Sequence, residues 1–435
     1  MRDLRLSSAA AVRLFHGCGA ASCLAVAMLA WQSRQPLPMA LSTFGALCAF
    51  VFACSLLACF AVTQGSGRIV LRHVLLWCVA LRLVSVLGAP IYEDDYFRYL
   101  WDGRQTVEQG SPYGPPPAAA FDTEDDPLWS EVLDQINHPE IPTIYGPVNQ
   151  YAFALAYWID PGNVTVLQVM FAAVDMLVIV LLARVAGLAP LVLYGFSPLV
   201  LKEFSFTAHP DILSVAGLVG ATLLWRQQRL YGAALALAVA VSAKVFALLL
   251  VPLLLRWHWR AWAVFLAGVV LLHLPLGNAG GMAQALGAMG AGNWLFNAPI
   301  YYLLYDYVPI STIKVVAVLG LGALCAWYFF VADYHRQQPL KVPRGDVLFL
   351  ALLLASPVFN PWYYVFPLAF AVIYPSAWAW AGSLTILFAY ATGLQLGTEH
   401  LAPYQQPVWG LALAFVPILV AAVVRRRRPV DDLSA

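Results

Sequence analysis

Three consecutive carboxylates, Glu93, Asp94 and Asp95, open the segment Glu93-Asp94-Asp95-Tyr96-Phe97-Arg98-Tyr99-Leu100-Trp101-Asp102-Gly103-Arg104, directly after an apolar run. Of the 23 acidic residues in the chain, 12 fall between Glu93 and Glu140, and Arg98 and Arg104 are the only Lys or Arg residues in that interval. Carboxylates crowded at the edge of a low-dielectric medium are costly, and in such places they mark function. An acid held beside an acceptor hydroxyl is a general base. The plain alternative is an ion-paired interfacial helix with its Tyr and Trp residues in the aromatic belt. Two adjacent acids beside one arginine leave too much charge over for that. If a helix begins after Pro90, Asp95, Arg98 and Asp102 share a face, and Asp94 reaches Arg98 at i+4.

Three other clusters are placed to converge on this segment. Ile136-Asn137-His138-Pro139-Glu140-Ile141-Pro142-Thr143-Ile144-Tyr145-Gly146-Pro147 is held extended by its prolines and presents His138 and Tyr145. Lys202-Glu203 ends one apolar run and His209-Pro210-Asp211 begins the next. Asn360-Pro361-Trp362 forms a further turn. Lys244 stands alone within Ala233–Pro252, where a lysine is disfavoured by about 2.5–3.5 kcal/mol, and snorkelling to the interface is its structural explanation. Arg82 also lies within an apolar span, with Asp175 as a candidate partner. The cations Arg98, Lys202, His209 and Lys244 suit a phosphate whose charge grows as a bond breaks. Acid pair and cations together describe transfer of a group from a phosphate to a hydroxyl. A leaving phosphate at the membrane edge belongs to a lipid. The sequence has no Walker-type loop, no GxGxxG before a soluble helix and no HExxH.

The elements that hold these residues follow from composition. The chain is 61% hydrophobic and 11% charged, against about 25% charged for a soluble domain, and its mean hydropathy is +0.74. Apolar runs recur from residue 14 to residue 424. Without the alternation of a barrel strand, such runs satisfy their backbone in lipid only as helices. An all-α polytopic integral membrane protein of about 11–14 transmembrane helices is therefore predicted. Helices are expected near 14–31, 39–62, 73–90, 164–183, 190–207, 211–225, 231–245, 246–256, 260–276, 311–332, 346–357, 362–375, 377–395 and 407–424, with 148–159 re-entrant or on the membrane surface. Several are too short for a straight crossing, so broken or tilted helices around a cavity are expected.

Charge orients the weave. Seventeen of the 24 Lys and Arg residues, including Arg2, Arg5, Arg13, Arg68, Arg72, Arg184, Arg336, Lys341 and Arg425 to Arg428, fall on one side, which the positive-inside rule makes cytoplasmic. Both termini are then cytoplasmic, in an inner cell membrane, and the acidic loop 91–147 faces away from the cytoplasm. The chain reads as one domain over 1–435: N-terminal helices 14–90, catalytic loop 91–147, remaining helices 148–424 and tail 425–435. The seven cysteines lie in or beside apolar spans and read as small buried hydrophobes. No nucleic-acid partner is expected, since Arg425 to Arg428 directly follow an apolar run.

Six segments in order, "DDYFRYLWDGR" (94–104), "INHPEIPTIYGP" (136–147), "LKEFSFTAHPD" (201–211), "SAKVFALLLVPLL" (242–254), "NWLFN" (293–297) and "PWYY" (361–364), resemble the bacterial polyprenyl-phosphate-mannose-type mannosyltransferases of the GT-C glycosyltransferase superfamily. The resemblance spans about residues 85 to 395. It implies a GT-C-like fold with a long extracytoplasmic first loop, and transfer of a hexose, mannose by family association, from a polyprenyl phosphate to an extracytoplasmic glycan or glycolipid acceptor, with inversion. It places the base at Asp94 or Asp95 and maps the family's Lys-Glu, His-x-Asp and membrane-lysine positions onto Lys202, Glu203, His209, Asp211 and Lys244, while Arg98, Lys202, His209 and Lys244, read as cations, are expected at the donor phosphate. Substrate contacts fall to Asp102, Arg104, His138, Tyr145, Glu203, Asp211, Asn297 and Trp362. The sequence departs from the family pattern at Gly146, where a second proline is usual. No cofactor and no metal are expected, although whether Glu93, Asp94 and Asp95 hold a divalent ion stays open. A transporter or flippase of lipid-linked sugars is the rival reading, and a non-catalytic assembly subunit a weaker third.

Overall fold

Backbone amides that leave water for lipid have no partner but one another, so each apolar run closes on itself as a helix. A computed structural model describes residues 6–65, 67–277, 287, 294–331, 342–398 and 400–426. Arg2, Arg5, Arg336, Lys341, Asn293 and the tail from 427 onward lie outside the described residues. Among those described there is no strand, and Phe296 and Val358 form an isolated parallel bridge.

The order is α1 (Ser8–Gln32), α2 (Leu41–Gln64), α3 (Leu71–Ser85), α4 (Tyr96–Glu108), α5 (Pro127–Asp134), α6 (Pro147–Ile159), α7 (Val164–Leu182), α8 (Leu188–Gly195) and α9 (Pro198–Val200). A π-helical turn Leu201–Phe206 continues α9, and α10 (Asp211–Arg226) and α11 (Leu230–Ala243) follow. A 3-10 turn Val245–Leu250 leads into α12 (Val251–Leu255) and α13 (Trp259–His273). Later helices occupy Pro299–Leu304, Ile310–Phe330, Gly345–Ala355, Val365–Ile373, Ala377–Thr385, Gly393–Leu396 and Val408–Arg426.

The protein is an all-α polytopic membrane protein. Five described helices are each long and apolar enough to cross a bilayer, and the bent pair Pro198–Phe206 and Asp211–Arg226 makes six. The expected 11–14 crossings are reached only if the shorter apolar helices of 10–17 residues, such as Leu230–Ala243 and Ala377–Tyr390, also cross. α3 stops at Ser85, short of the expected 90: Leu87 and Gly88 close tighter i→i−3 bonds, and Pro90 beyond them cannot continue a helix. The segment near 148–159 is helical, as α6. Large apolar side chains stay exposed along α2, α13 and Ile310–Phe330, a surface suited to lipid.

Small residues let helices approach closely enough to share polar groups. A β-carbon on Gly195 would lie 2.4 Å from Cys78 Sγ, so α8 presses directly on α3. At that contact Arg82 Nη2 meets Asp175 Oδ2 of α7 at 2.6 Å, and Arg82 Nη1 donates to the Gly195 carbonyl at 2.5 Å. Tyr194 donates its hydroxyl to Asp175 Oδ1 at 3.0 Å. The suspected Arg82–Asp175 pair therefore exists, and it ties α3, α7 and α8 together with both side chains buried. Gln168 of α7 donates to the carbonyls of Gly88 (3.2 Å) and Phe206 (2.6 Å), fixing the end of α3 against the π-helical turn.

Removing one member of a buried pair strands the other. Asp175→Leu should lower stability by about 3–5 kcal/mol, seen as a fall in the thermal unfolding midpoint in detergent. The double variant Arg82→Leu/Asp175→Leu should recover much of that loss; equal midpoints for Asp175→Leu and the parent protein would refute the role.

Candidate active site

Between α8 and α10 the chain cannot run as a straight helix. Pro198 starts a new turn, and Leu201–Phe206 widens to π geometry, which is rare and recurs at functional sites. Thr207 N and Oγ1 both donate to the Lys202 carbonyl, at 3.0 and 2.7 Å, and His209 N donates to the Glu203 carbonyl at 2.9 Å. Ala208, with φ 58°, sits in the left-handed region that a β-carbon disfavours. Strain of this kind costs on the order of 1–3 kcal/mol and persists only where its surroundings enforce it. The chain turns by 119° across the break. Lys202, Glu203, His209 and Asp211 consequently gather in one buried corner.

The corner is a connected polar network. Lys202 Nζ lies 3.2 Å from Glu203 Oε2 and bonds the Tyr390 hydroxyl, whose ring it also faces at 3.8 Å. Tyr390 donates to Glu203 Oε1 at 2.9 Å. His209 Nδ1 is 3.0 Å from Glu203 Oε2, an ion-pair distance off the axis of an ideal hydrogen bond. The His209 ring stacks on Trp362 with centroids 3.9 Å apart, and its Nε2 points to Asp95 Oδ2 at 4.0 Å. Nearby, Lys244 Nζ pairs with Asp211 Oδ1 at 3.0 Å and faces the Tyr363 ring at 4.3 Å.

The acid pair reaches this corner through the start of α4. Asp95 is its N-cap residue, and the positive end of the helix dipole favours anions there. Asn137 donates its amide to Asp94 Oδ1. Burial raises the Asp94 carboxyl above its ordinary range and the charge of Asp95 adds to this, while the Asn137 hydrogen bond opposes it. Burial pushes the Glu93 carboxyl well up too; Asp95, Glu203 and Asp94 add to the rise, and Lys202 opposes it. Tyr145 borders the same space: burial lifts its hydroxyl well above the ordinary value, with Asp95 adding. Gly146 permits this approach, since a β-carbon there would meet the Ser242 carbonyl oxygen at 2.1 Å. Asn149 donates to the Ala243 carbonyl at 2.8 Å, which fixes the loop beside Lys244.

The structure thus brings Asp94, Asp95, Tyr145, Lys202, Glu203, His209, Asp211, Lys244 and Trp362 together. Other expected residues are engaged differently. Arg98 does not reach back to Asp94. It pairs with Asp102 Oδ1 at 2.9 Å and donates to the Ile141 carbonyl at 3.0 Å. Asp102 also accepts from Thr143 and from Gln150 at 3.1 Å, within the α4–α6 contact. Arg104 bonds Glu108 (2.9 Å) and Glu124 (2.7 Å) and lies over the Trp129 ring at 4.9 Å, joining α4 to α5. His138, at φ 52°, faces Trp294 with centroids 4.5 Å apart. Asn297, at φ 50°, donates to the Phe359 carbonyl at 3.0 Å and so anchors the Asn360-Pro361-Trp362 turn.

Two contributors escape sequence reasoning. Tyr390, 187 residues from Glu203, lies in an apolar run with no motif around it. Asn137 lies in the singled-out segment 136–147 but is not among its candidate residues until its amide is seen on Asp94.

The profile of the alpha-(1->6)-mannopyranosyltransferase family, N-terminal domain, matches residues 9–261. This stretch contains the acidic loop, the π-helical turn and Lys244. No curated protein and no solved structure matches the chain. The chain belongs to this mannosyltransferase family.

Because Asp102 is buried among Arg98, Thr143 and Gln150, its replacement should act through the scaffold. Asp102→Ala should cost about 3–5 kcal/mol by stranding Arg98, and Asp102→Asn, which keeps an acceptor oxygen, should cost less. Thermal unfolding in detergent reads both, and unchanged midpoints would remove Asp102 from the scaffold.

Proposed function

From membership in that family, we propose that the chain transfers mannose from a polyprenyl phosphate to a hydroxyl of a glycan or glycolipid acceptor on the extracytoplasmic side, with inversion at the anomeric carbon. The observation that carries this reading is the convergence of the acid pair with buried cations beside a lipid-facing surface. Of the expected phosphate ligands, Lys244 is the most exposed at 18%, against 11% for Arg98, 2% for Lys202 and 0% for His209. It is followed by Val245 and, four residues after the lysine, by Leu248, both exposed and apolar. A phosphate held at Lys244 would have its polyprenyl chain along those side chains.

In the reaction, Asp94 or Asp95 takes the proton of the acceptor hydroxyl as its oxygen attacks the anomeric carbon. The bond from that carbon to the phosphate oxygen breaks, and the oxygen leaves with the lipid phosphate. Lys244 meets the charge that develops there, in a setting too apolar for water to screen it. Inversion to an α-linked product requires a β-linked donor. Tyr145 borders the space left for the sugar, and the stack on Trp362 with the Lys202–Glu203–Tyr390 network holds His209 in place.

The test is release of lipid phosphate from a short-chain polyprenyl-phosphate mannose by the purified protein, with acceptor, followed by mass spectrometry. The parent protein should release it. Asp94→Asn or Asp95→Asn, whichever is the base, should lose about 10²–10⁴-fold in rate, and full activity in both would sink the base assignment. Saturable lipid movement across vesicles without cleavage would favour a flippase.

A further inference from the structure

The acids in this corner outnumber the cations that face them. Glu93, Asp94, Asp95 and Glu203 act on one another across it. Lys202 is the lysine set against them, already held by Glu203 and Tyr390. Lys244 is matched by Asp211 and Arg98 by Asp102, so neither pair contributes net charge. An anionic phosphate would enter a corner that is itself negative. Charges withdrawn from water need either a counter-charge or a bound cation.

One atom shows where a cation fits. His209 is fully buried, and its Nε2 has no hydrogen-bond partner among the described residues. It is aimed at Asp95 Oδ2, 4.0 Å away. One carboxylate oxygen each from Glu93 and Asp95 and one His209 nitrogen lie within 4.8 Å of one another. Ligand atoms about 2.1 Å from one metal lie at most roughly 4.2 Å apart; the Asp95–His209 pair already meets this, and a side-chain adjustment of a few tenths of an ångström closes the group as a whole on an ion. Glu203 stands at Nδ1, 3.0 Å away, and can fix the tautomer that leaves the Nε2 lone pair directed into the gap. Carboxylate behind imidazole is the usual way proteins orient a metal-binding histidine. Stacking on Trp362 holds the ring plane.

We propose that Glu93, Asp95 and His209 Nε2 form a binding site for one first-row divalent cation, of the Zn²⁺ or Mn²⁺ class, oriented by Glu203. Two hard oxygens and one imidazole nitrogen suit those ions better than Ca²⁺. Positions open beyond the three ligands would receive phosphate oxygens. This use of the site rests on the transferase reading above; occupancy of the site does not. With Asp95 on the cation, Asp94, held by Asn137, remains as the acid free to accept a proton.

The experiment uses the full chain, purified in detergent and stripped with chelator, with no sugar donor present. Zn²⁺ is titrated by calorimetry, and Mn²⁺ by loss of the free-ion electron paramagnetic resonance signal. One ion per chain should bind. His209→Phe, which keeps the stacked ring without nitrogens, and Glu93→Gln should each weaken binding by more than 10-fold, and Glu203→Gln by about 10–100-fold. Zn²⁺ should raise the thermal midpoint of the parent protein and not that of His209→Phe, so a misfolded variant is recognised by its midpoint without metal. No saturable binding by the parent protein, or parent-like binding in both His209→Phe and Glu93→Gln, overturns the site. Ion binding without release of lipid phosphate would count against the donor assignment alone.

Discussion

A charge that leaves water for a helix bundle has to meet its counter-charge on another part of the chain, and this requirement organises the protein. Arg82 of α3 finds Asp175 of α7, and Tyr194 of α8 takes up the second carboxylate oxygen. Lys202 and Glu203 share Tyr390. Lys244, at the end of α11, finds Asp211 at the start of α10. Such pairs contribute little net stability compared with well-packed apolar residues, but breaking one is expensive. What they contribute is specificity: each fixes one helix against another where apolar contact alone would tolerate sliding.

The second organising feature is backbone held away from its preferred conformations. Among the described residues outside glycine, positive φ occurs at Tyr92, His138, Ala208, Gln228, Arg256 and Asn297. Gln228 and Arg256 lie in connections between helices. The other four lie in the segments that build the site: the entry to the acidic triplet, the loop carrying Asn137, the turn after the π helix, and the strip that anchors Trp362. Residues in such regions are kept by the structure around them, and they cluster where geometry has to be held against local preference. Here the holding groups are visible. Tyr92 donates to the Met39 carbonyl at 2.8 Å, and Asn297 to that of Phe359.

These two features meet at His209. The bend places it between Glu203 and Asp95, fully buried, with the face of its ring stacked on Trp362. Every interaction in the corner is strengthened by the low dielectric around it, and every unpaired group there is correspondingly costly. A site that accommodates an anion while retaining carboxylates for proton transfer, as proposed for this one, has to resolve this conflict through cations, whether lysine, imidazolium or metal.

How much of this was legible in the chain follows from which interactions are local. Helical runs and membrane character rest on composition and on backbone groups that bond within one segment, so sequence alone determined them. The acid pair, Lys202-Glu203, His209-Pro210-Asp211 and Lys244 stood out because charged residues in apolar surroundings are conspicuous anywhere. The helix beginning near Asp95 was also readable, from its spacing. Only the tertiary structure decided the pairings. On α4, Arg98 had Asp94 and Asp102 equally near in sequence, and Thr143 and Gln150, from another segment, settled the choice by gathering on Asp102. Tyr390 carries no signal in the chain, and Asn137, though inside a singled-out segment, shows no role there, because a hydroxyl or an amide gains its role from what lies across the fold. The ordered motifs named the participants; the bend at Ala208, enforced by hydrogen bonds and buried charge over long sequence distances, determined which atoms face one another.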